Sequence, residues 1–177
     1  MSTGVRSNES QEEPVSARVR AEDRECPLST AMSYVGEWWT ILILHDCFDG
    51  YTRFDQFEAN IGLSSSMLTS RLKALVDSGV LVKRAYQERP VRHEYVLTDF
   101  GRSLRPILVA MAAWRNAQLA PEDRAMILVD TGTGREVEPA VIDTATGLPV
   151  SDPRFVFTAG PAAGEQMLER YRRGNGR

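Results

Sequence analysis

Between Ile61 and Tyr95 the chain reads IGLSSSMLTSRLKALVDSGVLVKRAYQERPVRHEY, and this stretch restricts the fold more than any other. Leu68, Leu72, Leu75 and Val76 fall at helical spacing and predict a helix with one buried stripe. Ser64 stands where an N-cap would accept a backbone N–H, and Gly79 stands where a C′ glycine would end the helix. The face opposite the stripe carries Ser64, Ser65, Ser66, Thr69, Ser70 and Lys73, with no acid before Asp77. Hydroxyls and a cation without a carboxylate suit phosphates and the donor and acceptor edges of bases. Residues 80–84 and 94–97 then read as two strands, and the intervening Gln87–Arg92 loop carries Arg89 and Arg92.

A hydroxyl-faced helix followed by a basic-tipped hairpin is the order of a winged helix-turn-helix. Upstream, Phe54, Phe57 and Ile61 are spaced to pack inward, so 54–59 forms the first helix of the motif and 60–63 its turn. Before them, Pro27 suits a first helical turn, and Leu28, Ala31, Met32 and Val35 form an apolar face ended by Gly36. Residues 38–44, WWTILIL, begin a helix apolar nearly all round and therefore buried. After the wing, Thr98 caps a helix expected to run to about Leu119, kinked at Pro106. Its stripe of Leu104, Ile107, Leu108, Met111 and Trp114 exceeds what one small chain can cover, which predicts a dimer helix.

The expected class is therefore α+β, mainly α: a winged helix-turn-helix domain over 25–120 with a long C-terminal dimerisation helix. Residues 1–24 lack apolar periodicity and read as a disordered arm. In 121–177, Asp130-Thr-Gly-Thr-Gly and Asp143-Thr-Ala-Thr-Gly repeat one pattern, each followed three residues on by valine. The repeat predicts a small extension of two stacked β-hairpins, with a frayed end at 172–177. The spacing resembles the knuckles of a zinc ribbon, but no cysteine occupies either one, so no metal is expected.

Net charge is −3 over 177 residues, which by itself argues weakly against a nucleic-acid partner. Its distribution points the other way. Residues 53–105 hold nine bases and six acids, the only net-positive third of the chain, and they contain the proposed reading head. No purely apolar run is long enough for a membrane span, the longest being 107–114, and no secretory leader is evident, so a cytoplasmic protein is expected. His45 and His93 have no partners at ligand spacing, and no nucleophile motif or glycine-rich phosphate loop occurs. Neither an enzyme nor a cofactor is expected.

Residues 26–114 resemble the HxlR family of bacterial transcriptional regulators, a branch of the MarR-like winged helix proteins. The likeness rests on Cys26-Pro27-Leu28, Gly36, the 39–44 run, Arg53-Phe54-x-x-Phe57 and Gly62-Leu63-Ser64. It continues through Leu68-x-x-Arg71-Leu72-x-x-Leu75-x-x-Ser78-Gly79-Val80-Leu81 and Glu94-Tyr95-x-Leu97-Thr98-x-x-Gly101-Arg102-Ser103-Leu104. The resemblance implies a homodimer, built from the first and the last long helix, on a pseudo-palindromic double-stranded DNA operator. It places Arg71 at the family's mid-helix arginine, where a phosphate or an acid of the fold could receive it. It also places Cys26 at a position where some members carry a redox-reactive thiol, making Cys26 the candidate sensor. Effectors compatible with the resemblance are a small molecule, with Trp38 and Trp39 lining a pocket at the dimer seam, or an oxidant. The chain departs from the family at Trp38, where a lysine is usual, and at Ser65-Ser66, where Pro-Arg is common. The missing helix arginine and the acidic balance keep open an alternative: a protein-interaction adaptor that retains the winged fold without DNA binding.

Overall fold

A computed structural model describes residues 26–174; the expected arm, 1–24, lies outside them, as do 175–177. The chain forms α1 (Pro27–Val35), α2 (Trp38–Phe48), α3 (Phe54–Ile61), α4 (Ser65–Asp77), β1 (Leu81–Glu88) and β2 (Val91–Leu97). There follow α5 (Asp99–Arg102), α6 (Arg105–Asn116) and, after a 3₁₀ turn at Pro121–Asp123, α7 (Glu165–Gly174). The class is mainly helical with one two-stranded antiparallel sheet.

One core organises these elements. Ile43 and Leu44 of α2, Phe57 of α3, and Leu68, Leu72 and Leu75 of α4 are buried together with Leu63, Val80, Leu81, Leu97 and Leu104. The α4 stripe buries as its spacing predicts, and Gly79 adopts φ 75°, a left-handed conformation that a side chain would strain. Thr98 joins three elements. Its Oγ1 accepts from Gly101 N at 3.0 Å and donates to the Gly79 carbonyl at 2.6 Å. Gly101 itself lies so close to β1 that an added Cβ would sit 2.2 Å from the Val80 carbonyl oxygen.

Four expectations need correction. The long helix after the wing is two helices, α5 and α6, parted at Ser103-Leu104. Pro106 has no N–H for the Arg102 carbonyl, so the ladder stops, and the proline instead occupies the first turn of α6, where its missing donor costs nothing. The wing loop is shorter than Gln87–Arg92. A register shift between Ala85 and Gln87 lets the ladder continue to Glu88 opposite Val91, leaving Arg89 and Pro90 as the turn. The two Asp-Thr repeats do not build hairpin sheets.

Each repeat is a tight turn closed by one isolated bridge, Val129 with Glu136 and Ile142 with Pro149. The side chains of Asp130 and Asp143 are consumed within their own turns. Asp130 accepts from Gly132 N and from the Thr133 hydroxyl, and Asp143 from Thr146 N and its hydroxyl. These bonds hold both carboxyls below the usual carboxylate range. The C-terminal stretch also differs from expectation, because Arg172 to Gly174 belong to α7.

Candidate nucleic-acid interface

The helix-turn-helix is α3, the 62–64 turn and α4. Arg53 and Thr52 backbone N–H groups donate to Gln56 Oε1 at 3.0 and 3.1 Å, fixing the start of α3. Its far end is tied to α2 by Asn60 Nδ2, which donates to Asp46 Oδ2 at 3.1 Å. Asp46 is buried, and that burial raises its pKa despite the opposing Asn60 bond. Ser64 caps α4, accepting from Met67 N at 3.4 Å.

Ser64, Ser65, Ser66, Thr69, Ser70 and Lys73 all lie exposed, with Ser66, Ser70 and Lys73 on the side of α4 opposite Leu68, Leu72 and Leu75. They are not equally free. Ser65 Oγ donates to Glu58 of α3, and Thr69 Oγ1 donates to the Ser65 carbonyl at 2.7 Å. Ser64 and Ser66 hydroxyls share one bond at 3.3 Å, whereas the Ser70 hydroxyl has no partner among the described residues. Lys73 Nζ pairs with Asp77 at 2.5 Å, one turn on. Arg71 leaves this face altogether: its Nη2 meets Glu37 Oε2 at 2.6 Å, at the start of α2. The sequence left Arg71 between a phosphate and an acid of the fold; in the folded chain an acid takes it.

Arg89 and Arg92 are both exposed, Arg89 at the turn and Arg92 on β2 opposite Gln87 rather than in a loop. Neither has a carboxylate partner among the described residues. Sequence reasoning passed over two further side chains here. Arg84 is exposed and stands opposite Glu94 without pairing to it, and Met67 is 41% exposed amid the α4 hydroxyls. The alternation along β1 and the position of Met67 before Leu68 were the available signals. The wing is anchored at its base, where Tyr95 N donates to the Thr52 carbonyl at 2.7 Å and Arg53 bridges Glu94.

The comparisons with known proteins agree with this geometry. The model of the HxlR-like helix-turn-helix family matches residues 34–123. The chain belongs to that family. An uncharacterized HTH-type transcriptional regulator of Mycobacterium bovis is 36% identical over 132 residues, 74% of this chain and 84% of the relative. A solved structure from Pseudomonas aeruginosa, provisionally described as a transcription factor, has a TM-score of 0.61 at 39% identity. It is matched over 82% of this chain and 99% of its own. The redox regulator HypR in its reduced form has a TM-score of 0.50 at 30% identity, over 52% of this chain and 93% of HypR. This HxlR-family chain is thus a transcriptional regulator with a helix-turn-helix DNA-binding domain.

The remaining features of the sequence sort themselves around that domain. Cys26 stands at the N-cap of α1, partly exposed, with no side-chain cap bond. Cys47 is mostly buried in α2, and burial pushes its thiol up to about 12, so it is not a ready thiolate. Trp39 packs against the core while Trp38 is 59% exposed. Among the described residues, no helix is long and apolar enough to cross a membrane.

Proposed function

We propose that this HxlR-family regulator binds a pseudo-palindromic DNA operator as a homodimer, with α4 in the major groove and the wing on the flanking backbone. The observation that carries this reading is the pairing of two exposed surfaces on one rigid scaffold. The α4 face offers hydroxyls and one methionine to base edges, and the wing offers to phosphates three arginines that have no carboxylate partner among the described residues. Dimerisation is supported by apolar surface that the single chain leaves uncovered. Leu28 and Met32 of α1 are 65% and 55% exposed, and Ile107, Met111 and Trp114 form an exposed stripe on α6. Tyr34 of α1 and Phe100 of α5 meet edge-on at 5.2 Å, so α1 lies beside the α5–α6 segment. Two-fold symmetry would set the half-sites about one helical turn apart. Such a protein works in the cytoplasm.

Cys26 is the proposed redox sensor, on its place at a helix start and on the likeness to HypR. The second reading, an adaptor, is favoured by one observation. Both cations of α4, Arg71 and Lys73, are engaged by acids of the same chain. The deciding experiment is fluorescence anisotropy of the purified protein on DNA upstream of its own gene, at two salt concentrations, with and without reductant. Salt-sensitive, sequence-selective binding supports the regulator, and a change with reductant that Cys26→Ser abolishes assigns the sensor. Failure to bind even random DNA at low salt overturns the DNA-binding reading in favour of the adaptor.

A further inference from the structure

A cavity of about 710 Å³ lies outside the DNA-reading surfaces, between the end of α2, one side of α6 and the first Asp-Thr turn of the extension. Its size falls within the range of small-molecule sites, roughly 300–1,000 Å³. The α6 side contributes Leu108, Val109, Ala112 and Ala113, and the small pair of alanines leaves the room. Ile107, Met111 and Trp114 project from the other side of α6, so a second copy covering that stripe would leave the cavity open. The extension is tied to α6 by Asn116 Nδ2, which donates to the Met126 carbonyl at 2.8 Å, and is braced within itself by Arg124, which pairs with Glu136 at 3.0 Å. The turn beginning at Asp130 thus builds a wall, through Leu128 and Val137, whose backbones bond at 2.8 Å.

The polar groups around this apolar space are unequal. His45 and Asp49 pair at 3.4 Å, and Arg124 is taken by Glu136. Arg105 has no carboxylate partner among the described residues; its guanidinium lies 6.0 Å from the Phe48 ring centroid. A planar fork beside an aromatic wall suits one carboxylate on an apolar body. Glu138, exposed on the rim and without an ion-pair partner among the described residues, opposes ligands of higher negative charge. We propose that this cavity binds a small monocarboxylate with a flat or short apolar body, its head on Arg105 and its body against Ala112 and Ala113. Occupancy can be felt at the reading head. His45, Phe48 and Asp49 flank Asp46 along the chain at the end of α2, and Asp46 holds Asn60 at the end of α3. That effector role rests on the DNA-binding reading above; the ligand site itself does not.

The test is calorimetric titration of the full chain with 1-naphthoate and with its neutral counterpart 1-naphthylmethanol. Saturable binding of one naphthoate per chain is expected. Arg105→Gln, a surface change, should weaken naphthoate by about 30-fold, as loss of a charge-assisted bond implies, and leave naphthylmethanol within about two-fold. Ala112→Trp should abolish both, with Arg115→Gln, exposed on α6 and outside both the cavity lining and the apolar stripe, as the control that retains both. No saturable binding, or naphthoate affinity indifferent to Arg105→Gln, overturns the site. Naphthoate binding that leaves operator affinity unchanged overturns the effector role. Absence of salt-sensitive DNA binding by the ligand-free protein would instead count against the regulator reading.

Discussion

Arg71 Nη2 lies 2.6 Å from Glu37 Oε2, joining the middle of α4 to the N-cap residue of α2. The guanidinium is about two-thirds buried and the carboxylate half-exposed, so this pair sits between a surface bridge and an interior one. The pair ties α4 to the start of α2, and on the proposed reading Arg71 positions α4 rather than contacting DNA. Arg71→Ala should lower stability by about 1 kcal/mol, read from the urea midpoint. It should alter the salt dependence of DNA binding less than the wing substitutions do. A loss in salt slope equal to that of Arg89→Ala would show that Arg71 reaches a phosphate after all.

The wing arginines should behave as phosphate contacts. Arg89→Ala and Arg92→Ala should each weaken all DNA sequences alike and reduce the slope of log affinity against log salt by about one per protomer. Anisotropy titrations across four salt concentrations would measure it. A change in sequence preference with an unaltered slope would contradict the assignment.

On α4 the expected signature is the reverse. Ser66→Ala and Met67→Ala should change which bases are preferred in a binding-site selection and leave the salt slope nearly intact. Ser64→Ala should act chiefly on folding, costing about 0.5–1 kcal/mol through loss of its cap on Met67 N, at the low end because that bond is long, 3.4 Å. Thermal unfolding of the DNA-free protein separates the two effects.

The exposed stripe on α6 gives a direct test of assembly. Met111→Glu or Trp114→Glu should yield a monomer by analytical ultracentrifugation and lower operator affinity by at least about ten-fold, because two half-sites no longer bind together. A monomeric wild type, or a dimer indifferent to both changes, would remove the dimer from the proposal.

Cys47 supplies a pH prediction. Burial raises its pKa from the ordinary 9.0 to about 12, so the folded state keeps a proton that the unfolded state loses. Stability from this group is whole below pH 9 and falls as the pH rises from 9 toward 12. The urea midpoint should drop between pH 8 and pH 10.5 in the wild type and drop less in Cys47→Ala. Thiol titration of the native protein at pH 8 should label Cys26 well before Cys47.

The residues of α4 show how much was legible beforehand. Leucines at a helical period, a serine cap and a terminal glycine are local signals, each acting within one turn, so the helix, its buried side and its exposed hydroxyls followed from the sequence alone. The order of helix and basic hairpin, with matching motifs on either side, likewise gave the fold and the family. The partners of those side chains did not follow. Arg71 and Glu37 are brought together only when α2 packs against α4, and Asp46 meets Asn60 only when α2 packs against α3. The bulge at the wing and the break before Pro106 turned on which backbone donors found acceptors, a matter of neighbouring strands and turns. The Asp-Thr repeat was visible, but its use was not: only folding of the first turn onto α6 makes a wall of it and encloses the cavity beside Arg105. Local periodicity determined the elements of this protein; long-range contacts decided which charges are paired and which remain open to a partner, because pairing depends on distances that no spacing along the chain contains.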